Sequence, residues 1–303
     1  MDWKFERVAG PFDFAEGPVW MGDYLLFTDI PNSRILKYDP ASGVCEDFRA
    51  ETNRANGLTL GRDGTLFGCE GGASSLPGSN DSAAGQGRRI VIYKPDEDTV
   101  VIADKWIDKR LNSPNDIVED AKGRIWFTDP RYGDRDDMEL NHESVYRLDP
   151  DWSGTYELLR VTFDTTRPNG LLVTPDMDFL YVAQSDYGDN VCRELRRYPI
   201  NADGTVGAFE VIHNFYPHRG IDGMRFDADG NIVASAGWTQ SGPGPMIYVF
   251  APNGRVLGTH PIDINPTNCC FGDDDLQTLY VTTSDGSLFR ARTALKGMPV
   301  GNA

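Results

Sequence analysis

Asn115-Asp116-Ile117-Val118, with the residues that follow it to Thr162, decides the fold. Ile117-Val118 starts an apolar strand. Asp120-Ala121-Lys122-Gly123 is a turn, in which glycine supplies the positive φ that most residues resist. Arg124-Ile125-Trp126-Phe127-Thr128 is a second strand, rich in β-formers. A polar loop, Asp129 to Glu143, leads to a third strand at Ser144-Val145-Tyr146-Arg147-Leu148. A turn from Asp149 to Gly154 and a fourth strand from Tyr156 to Thr162 complete the unit.

The opening phrase recurs five more times. Its other copies are Glu16-Gly17-Pro18-Val19-Trp20, Asn56-Gly57-Leu58, Asn169-Gly170-Leu171-Leu172-Val173, Asp222-Gly223-Met224 and Asn268-Cys269-Cys270-Phe271. Successive leading residues lie 40, 59, 54, 53 and 46 positions apart. Arg62-Asp63-Gly64, Pro175-Asp176-Met177 and Ala228-Asp229-Gly230 sit at the equivalent first turn. A repeat of about 50 residues built from short strands predicts a β-propeller. The expected fold is all-β: one domain over residues 1–303, six four-stranded antiparallel blades around a central metal site. Helical signals are weak, the best being a short turn near Asp104–Arg110. Trp3–Val8 has no blade of its own and is expected to complete the last one beside Leu279–Arg292, removing exposed edges.

Composition narrows the function. Acidic residues outnumber basic ones 46 to 29, a formal charge of −17, which argues against nucleic acid or an anionic membrane as partner. No apolar run approaches the ~20 residues that span a bilayer, and Met1–Gly10 lacks an apolar signal core, so a cytoplasmic location is expected. The five cysteines lack CxxC spacing and read as reduced thiols. Oligomeric state is not set by the sequence.

Strand direction gathers the loops after each second strand, and those entering each inner strand, onto one face. That face should present Glu70, Arg131, Tyr132, His142, Asp186, Tyr187 and Trp238, with Arg54, Arg110, Asn112, Arg167, His218 and Arg219. Such a mixture suits a small-molecule pocket. At the axis the six leading residues, Glu16, Asn56, Asn115, Asn169, Asp222 and Asn268, are all oxygen donors. Two carboxylates and several amide carbonyls form a hard-oxygen site suited to Ca²⁺ or Mg²⁺, with Mn²⁺ also compatible. Two facing carboxylates with no cation would repel, and one would take up a proton or find a basic partner.

The ordered motifs resemble the gluconolactonase, regucalcin and luciferin-regenerating-enzyme family of six-bladed propellers. The resemblance rests on Ala15-Glu16-Gly17-Pro18-Val19-Trp20, on Leu111-Asn112-Ser113-Pro114-Asn115-Asp116 with Phe127-Thr128-Asp129-Pro130, and on Arg167-Pro168-Asn169-Gly170. Asp222-Gly223-Met224 and Thr267-Asn268-Cys269-Cys270-Phe271-Gly272 complete it. It implies a divalent cation, Ca²⁺ foremost and Mg²⁺, Mn²⁺ or Zn²⁺ as alternatives, held by Glu16, Asn169 and Asp222. It places Asn115 close by, on metal, water or substrate. It also implies a metal-dependent hydrolase that opens a small-molecule lactone. A phosphotriesterase of the diisopropyl-fluorophosphatase type is the alternative reaction, and a non-catalytic ligand-binding propeller the alternative class.

The expected roles follow from that reading. The cation polarises the lactone carbonyl, and Asp222 takes the proton of the attacking water, with His218 as the second choice of base. Asn115 orients substrate or water, Arg110 and Arg167 receive hydroxyls or the product carboxylate, and Asn56, Tyr132 and Trp238 complete the pocket. Where many bacterial gluconolactonases carry a His-Gly-Asn-Arg-Arg type phrase, this chain has Glu70-Gly71-Gly72 and fifteen further residues before Arg88-Arg89. Gly71–Gly87 is small and polar, and reads as a loop over the pocket face, a lid in the functional reading.

Overall fold

A computed structural model describes residues 3–72, 87–95, 97–188 and 191–299. The described chain forms six four-stranded antiparallel sheets and one two-stranded hairpin, without an α-helix. The sheets are the blades of a six-bladed β-propeller. Their innermost strands are Ala15–Trp20, Ala55–Leu60, Ile117–Glu119, Pro168–Val173, Ile221–Phe226 and Pro266–Gly272. Each packs beside the next, and the last packs beside the first, which closes the ring. Inner strands are buried along most of their length, whereas outermost strands such as Val44–Arg49 are exposed along most of theirs.

The core is six wedges rather than one nucleus. Val19, Leu26 and Ile35 of blade 1 pack on Leu58, Val91 and Tyr93 of blade 2. Five further apolar clusters fill the remaining gaps between neighbouring blades. Cys269 and Cys270 show the pleat at work: alternation sends Cys269 into the wedge with blade 5 and Cys270 into the wedge with blade 1. All five cysteines are free thiols; Cys69, Cys269 and Cys270 are buried, Cys45 is half-buried and Cys192 is exposed.

The last blade is completed by the N-terminal segment, as expected. Glu6–Ala9 pairs antiparallel with Leu288–Arg292, while Trp3 and Phe5 rest on the wedge between blades 5 and 6. Asp104–Arg110, by contrast, is not a helical turn. Lys105–Trp106 and Lys109–Arg110 form the two-stranded hairpin, turning through Ile107 and Asp108 at φ of 46° and 62°. Two successive left-handed residues make a tight hairpin turn, and no glycine marks it. No helix among the described residues is long and apolar enough to cross a membrane.

The recurring phrase has a structural cause. In five inner strands the register slips by one residue at the top, between Glu16 and Val19, Ala55 and Leu58, Pro168 and Leu171, Ile221 and Met224, and Pro266 and Cys269. A bulge of this kind bends a strand and re-aims its side chains. The glycine after the leading residue is needed because the next blade's leading residue presses on it. A Cβ on Gly17 would lie 2.1 Å from the Asn56 carbonyl oxygen, and one on Gly170 would lie 2.5 Å from that of Asp222. The motif is thus the contact between successive blades at the hub.

Candidate functional site

Five of the six leading residues open onto one axial cavity of about 430 Å³. Glu16, Asn56, Asn115, Asn169 and Asp222 line it, with Tyr132 and Trp238 in the wall. Asn268 is buried beside it, donating its amide to Glu16 Oε2 at 3.1 Å and accepting at Oδ1 from its neighbour's backbone N–H, Cys269. The backbone N–H of Gly17 also donates to Glu16 Oε2, at 2.6 Å. Asn169 donates through Nδ2 to the Tyr132 hydroxyl at 3.0 Å, leaving its carbonyl oxygen as the remaining acceptor. That hydroxyl donates to the Arg167 carbonyl at 3.4 Å.

Asp222 accepts a charge-assisted bond from Arg219, whose other nitrogen reaches the carbonyls of Gly237 (3.0 Å) and Pro266 (3.2 Å). The guanidinium therefore ties the Asp222 carboxylate to blades 5 and 6. Phe14, Tyr187, Asn265 and Ser284 complete the lining. Phe14, Asn265 and Ser284 escaped the sequence reading. Phe14 carries a faint signal, since it directly precedes the Ala15-Glu16 phrase.

Several residues expected at the pocket lie off it. Arg110 pairs with Glu139, and Arg167 turns behind Tyr132 to pair with Asp186 at 3.2 Å. His218 is half-buried away from the cavity lining, its Nδ1 without a partner. Glu70 is fully buried under Arg89, Asn53 and Tyr93. Asp129 has a supporting task as well: its two oxygens accept the backbone N–H groups of Asn112 and Ser113, both at 2.8 Å, fixing the loop that presents Asn115. Asp29 plays a similar part in blade 1, where its Oδ1 accepts from the backbone N–H groups of Asp13 (3.2 Å) and Phe14 (3.3 Å). The expected lid falls largely on residues 73–86, outside the described residues. Its described flanks, Gly72 and Gly87, meet over blade 2, where a Cβ on Gly87 would lie 2.8 Å from Gly72 Cα.

His142 also sits outside the lining, against the edge of Trp106 at 5.3 Å, with Nδ1 near the Ser144 hydroxyl. Burial, helped by Arg160 and Lys109, pushes its pKa down to about 4. The folded state therefore expels a proton that the unfolded chain holds below pH ~6.5. The resulting contribution to stability is full above that value and is lost as pH falls toward 4. Thermal melts from pH 4 to 8 should show His142→Asn with a shallower acid-side decline than the parent.

The hub electrostatics fit a cation. Burial raises the Glu16 carboxyl well above the usual range, and Asp222 and then Asp116 push it further. Asp222 is raised by burial too, although Arg219 pulls it down. Three buried carboxylates thus share two guanidiniums, Arg219 and, 3.9 Å from Asp116, Arg225. Among the described residues no three His, Cys, Asp or Glu side chains gather into a metal-binding group, so any cation here must rely on the asparagine oxygens as well. That donor chemistry matches a hard ion.

Residues 14–285 match the family described as SMP-30/gluconolactonase/LRE-like region. The chain belongs to this family. Within it, the chain is 34% identical to the gluconolactonase of Zymomonas mobilis, over 96% of this chain and 82% of the relative. The pentonolactonase of Haloferax volcanii is 28% identical, over 90% of this chain and 82% of the relative. A gluconolactonase structure from Xanthomonas campestris superposes with a TM-score of 0.79 at 28% identity, covering 97% of this chain and 89% of that one. The likeness runs through all six blades, so the axial cavity lies within the shared part of the family.

Proposed function

We propose that this family member hydrolyses a small-molecule lactone in the axial cavity. One observation carries the reading: two buried carboxylates and three asparagines from five blades open onto one cavity. A divalent cation, Ca²⁺ foremost, is assigned to Glu16, Asn169 and Asp222, with Asn115 beside it. When bound, it would supply Lewis-acid polarisation of the lactone carbonyl.

The residues do the rest. Tyr132, Tyr187, Trp238 and Phe14 wall the cavity with aromatic surface against which a ring can lie. Asn115 and Asn56 offer amide groups to orient the lactone or the attacking water. Asp222 is the acceptor assigned for that water's proton. Burial raises its proton affinity in the metal-free chain even beside Arg219, and a bound cation would lower it again. Arg219 anchors the carboxylate so that it points into the cavity. The relatives named as gluconolactonase and pentonolactonase support the substrate class.

The test is a substrate panel on metal-stripped protein with Ca²⁺, Mg²⁺, Mn²⁺ or Zn²⁺ added back. The expected result is turnover of aldonolactones or simple γ- and δ-lactones that chelator removes and one of these ions restores. Turnover of a phosphotriester alone would move the chain to the other reaction, and unchanged rates in chelator would remove the cation from the scheme.

A further inference from the structure

Asp116 occupies a place that the other blades leave small. At the position after the leading residue, blades 1, 2, 4 and 5 carry Gly17, Gly57, Gly170 and Gly223, and blade 6 carries Cys269. Only blade 3 sets a charged side chain there. Asp116 is 1% exposed. Its Oδ1 accepts the backbone N–H of Ile117 at 2.9 Å, whereas Oδ2 has no hydrogen-bond partner. The Asn268 amide and the Leu171 N–H face the carboxylate, yet Oδ2 lacks a well-formed bond, and so under-satisfied a buried carboxylate oxygen calls for a function.

Two neighbours locate that oxygen. Asn268, which donates to Glu16, lies beside Asp116 as well, so the two carboxylates meet around one amide. On the other side Arg225 Nη1 stands 3.9 Å from Oδ2, too far for a hydrogen bond but close for charge. Arg225 borders a void of about 70 Å³ below the hub, walled by Val19, Leu58, Ile117, Leu172 and Phe271. Apolar walls screen charge poorly. Arg219, Asp222 and Arg225 are spaced three apart on one strand and its approach. That strand thus places one cation on the cavity side of the hub and another beneath it.

We infer that Asp116, lying below the ring and outside the ligand set, strengthens the hub cation site through its charge, and that Arg225 sets how strongly it acts. This rests on the cation reading above. Asp116 adds negative charge where Glu16 and Asp222 already face the cavity, and Arg225 withdraws part of it. The pair then tunes the affinity of the site without occupying the cavity, and acts as positioning residues, not catalytic ones.

The experiment is calorimetric titration of the chelator-treated full chain with Ca²⁺, without substrate, accompanied by thermal melts in chelator. Asp116→Asn keeps the shape and should weaken Ca²⁺ binding about tenfold or more. Arg225→Met leaves Asp116 uncompensated and should tighten it several-fold. Its melting point in chelator should fall, and Ca²⁺ should raise it by more than in the parent. Arg225→Lys should return the affinity toward the parent value. A purely structural pair would move both variants in the same direction or leave the affinity within twofold, and either result overturns the inference. If Glu16→Gln loses Ca²⁺ binding while Asp116→Asn does not, the site stands and this inference falls. If the parent binds no Ca²⁺, both fall. Should Arg225→Met fail to fold, the lysine and asparagine variants still decide it.

Discussion

Glu16→Gln and Asp222→Asn each lower kcat/KM on the best lactone by about 10³-fold or more, the scale on which losing transition-state charge stabilisation is felt. Glu16→Gln also leaves the metal-free fold at least as stable as the parent at neutral pH, whereas Asp222→Asn strips Arg219 of its buried partner and should lower stability. The second half follows from burial. Glu16 has its proton affinity raised by desolvation and by two carboxylate neighbours, so keeping it ionised in the folded state opposes folding at pH values above the ordinary carboxylate range. Glutamine removes that penalty while its amide oxygen can still accept from Gly17 and Asn268. Activity lost with stability kept or gained marks groups retained for chemistry. Steady-state kinetics and melts in chelator measure the two halves, and a variant that keeps parental turnover contradicts the assignment.

The largest expected effect on folding comes from a residue without a side chain. Gly17→Ala should destabilise the protein by about 3 kcal/mol or more, combining overpacking with left-handed strain. Its φ is +51°, and the added Cβ would fall 2.1 Å from the Asn56 carbonyl oxygen. That oxygen is held in place by the Thr28 hydroxyl at 3.0 Å, so little can give way. Gly123→Ala is the control. Its φ is +75° with nothing within 4 Å of the new Cβ, and it should cost only about 1 kcal/mol. Urea unfolding of both variants measures the difference. Equal losses would mean that the hub contact contributes nothing.

The blades were legible because the inner strands bury their length and five of the six bulge at the top, and both demands repeat in the residues themselves. The axial set was legible for the same reason: Glu16, Asn56, Asn115, Asn169 and Asp222 hold homologous places, and homologous places in a ring meet. The walls were less so. Arg110, Arg167 and His218 stand on the correct face by strand direction, yet Arg110 and Arg167 are drawn to Glu139 and Asp186, and His218 is half-buried off the cavity lining. Partner choice among loop residues depends on distances that no repeat encodes. Asp116 hid in plain view within the blade 3 phrase, because its departure from glycine carries meaning only once the ring is closed around it. The hairpin at Lys105–Arg110 was misread because Ile107 and Asp108 adopt left-handed backbone without the glycine or asparagine that usually announces it.

The seam between Glu6 and Arg290 joins residues 284 positions apart. A ribosome needs roughly 15 to 60 s to extend the nascent polypeptide that far. Throughout that interval the outer edge of the first-made segment waits for a companion not yet synthesised. Pairing of Glu6–Ala9 with Leu288–Arg292 is therefore a late, long-range event.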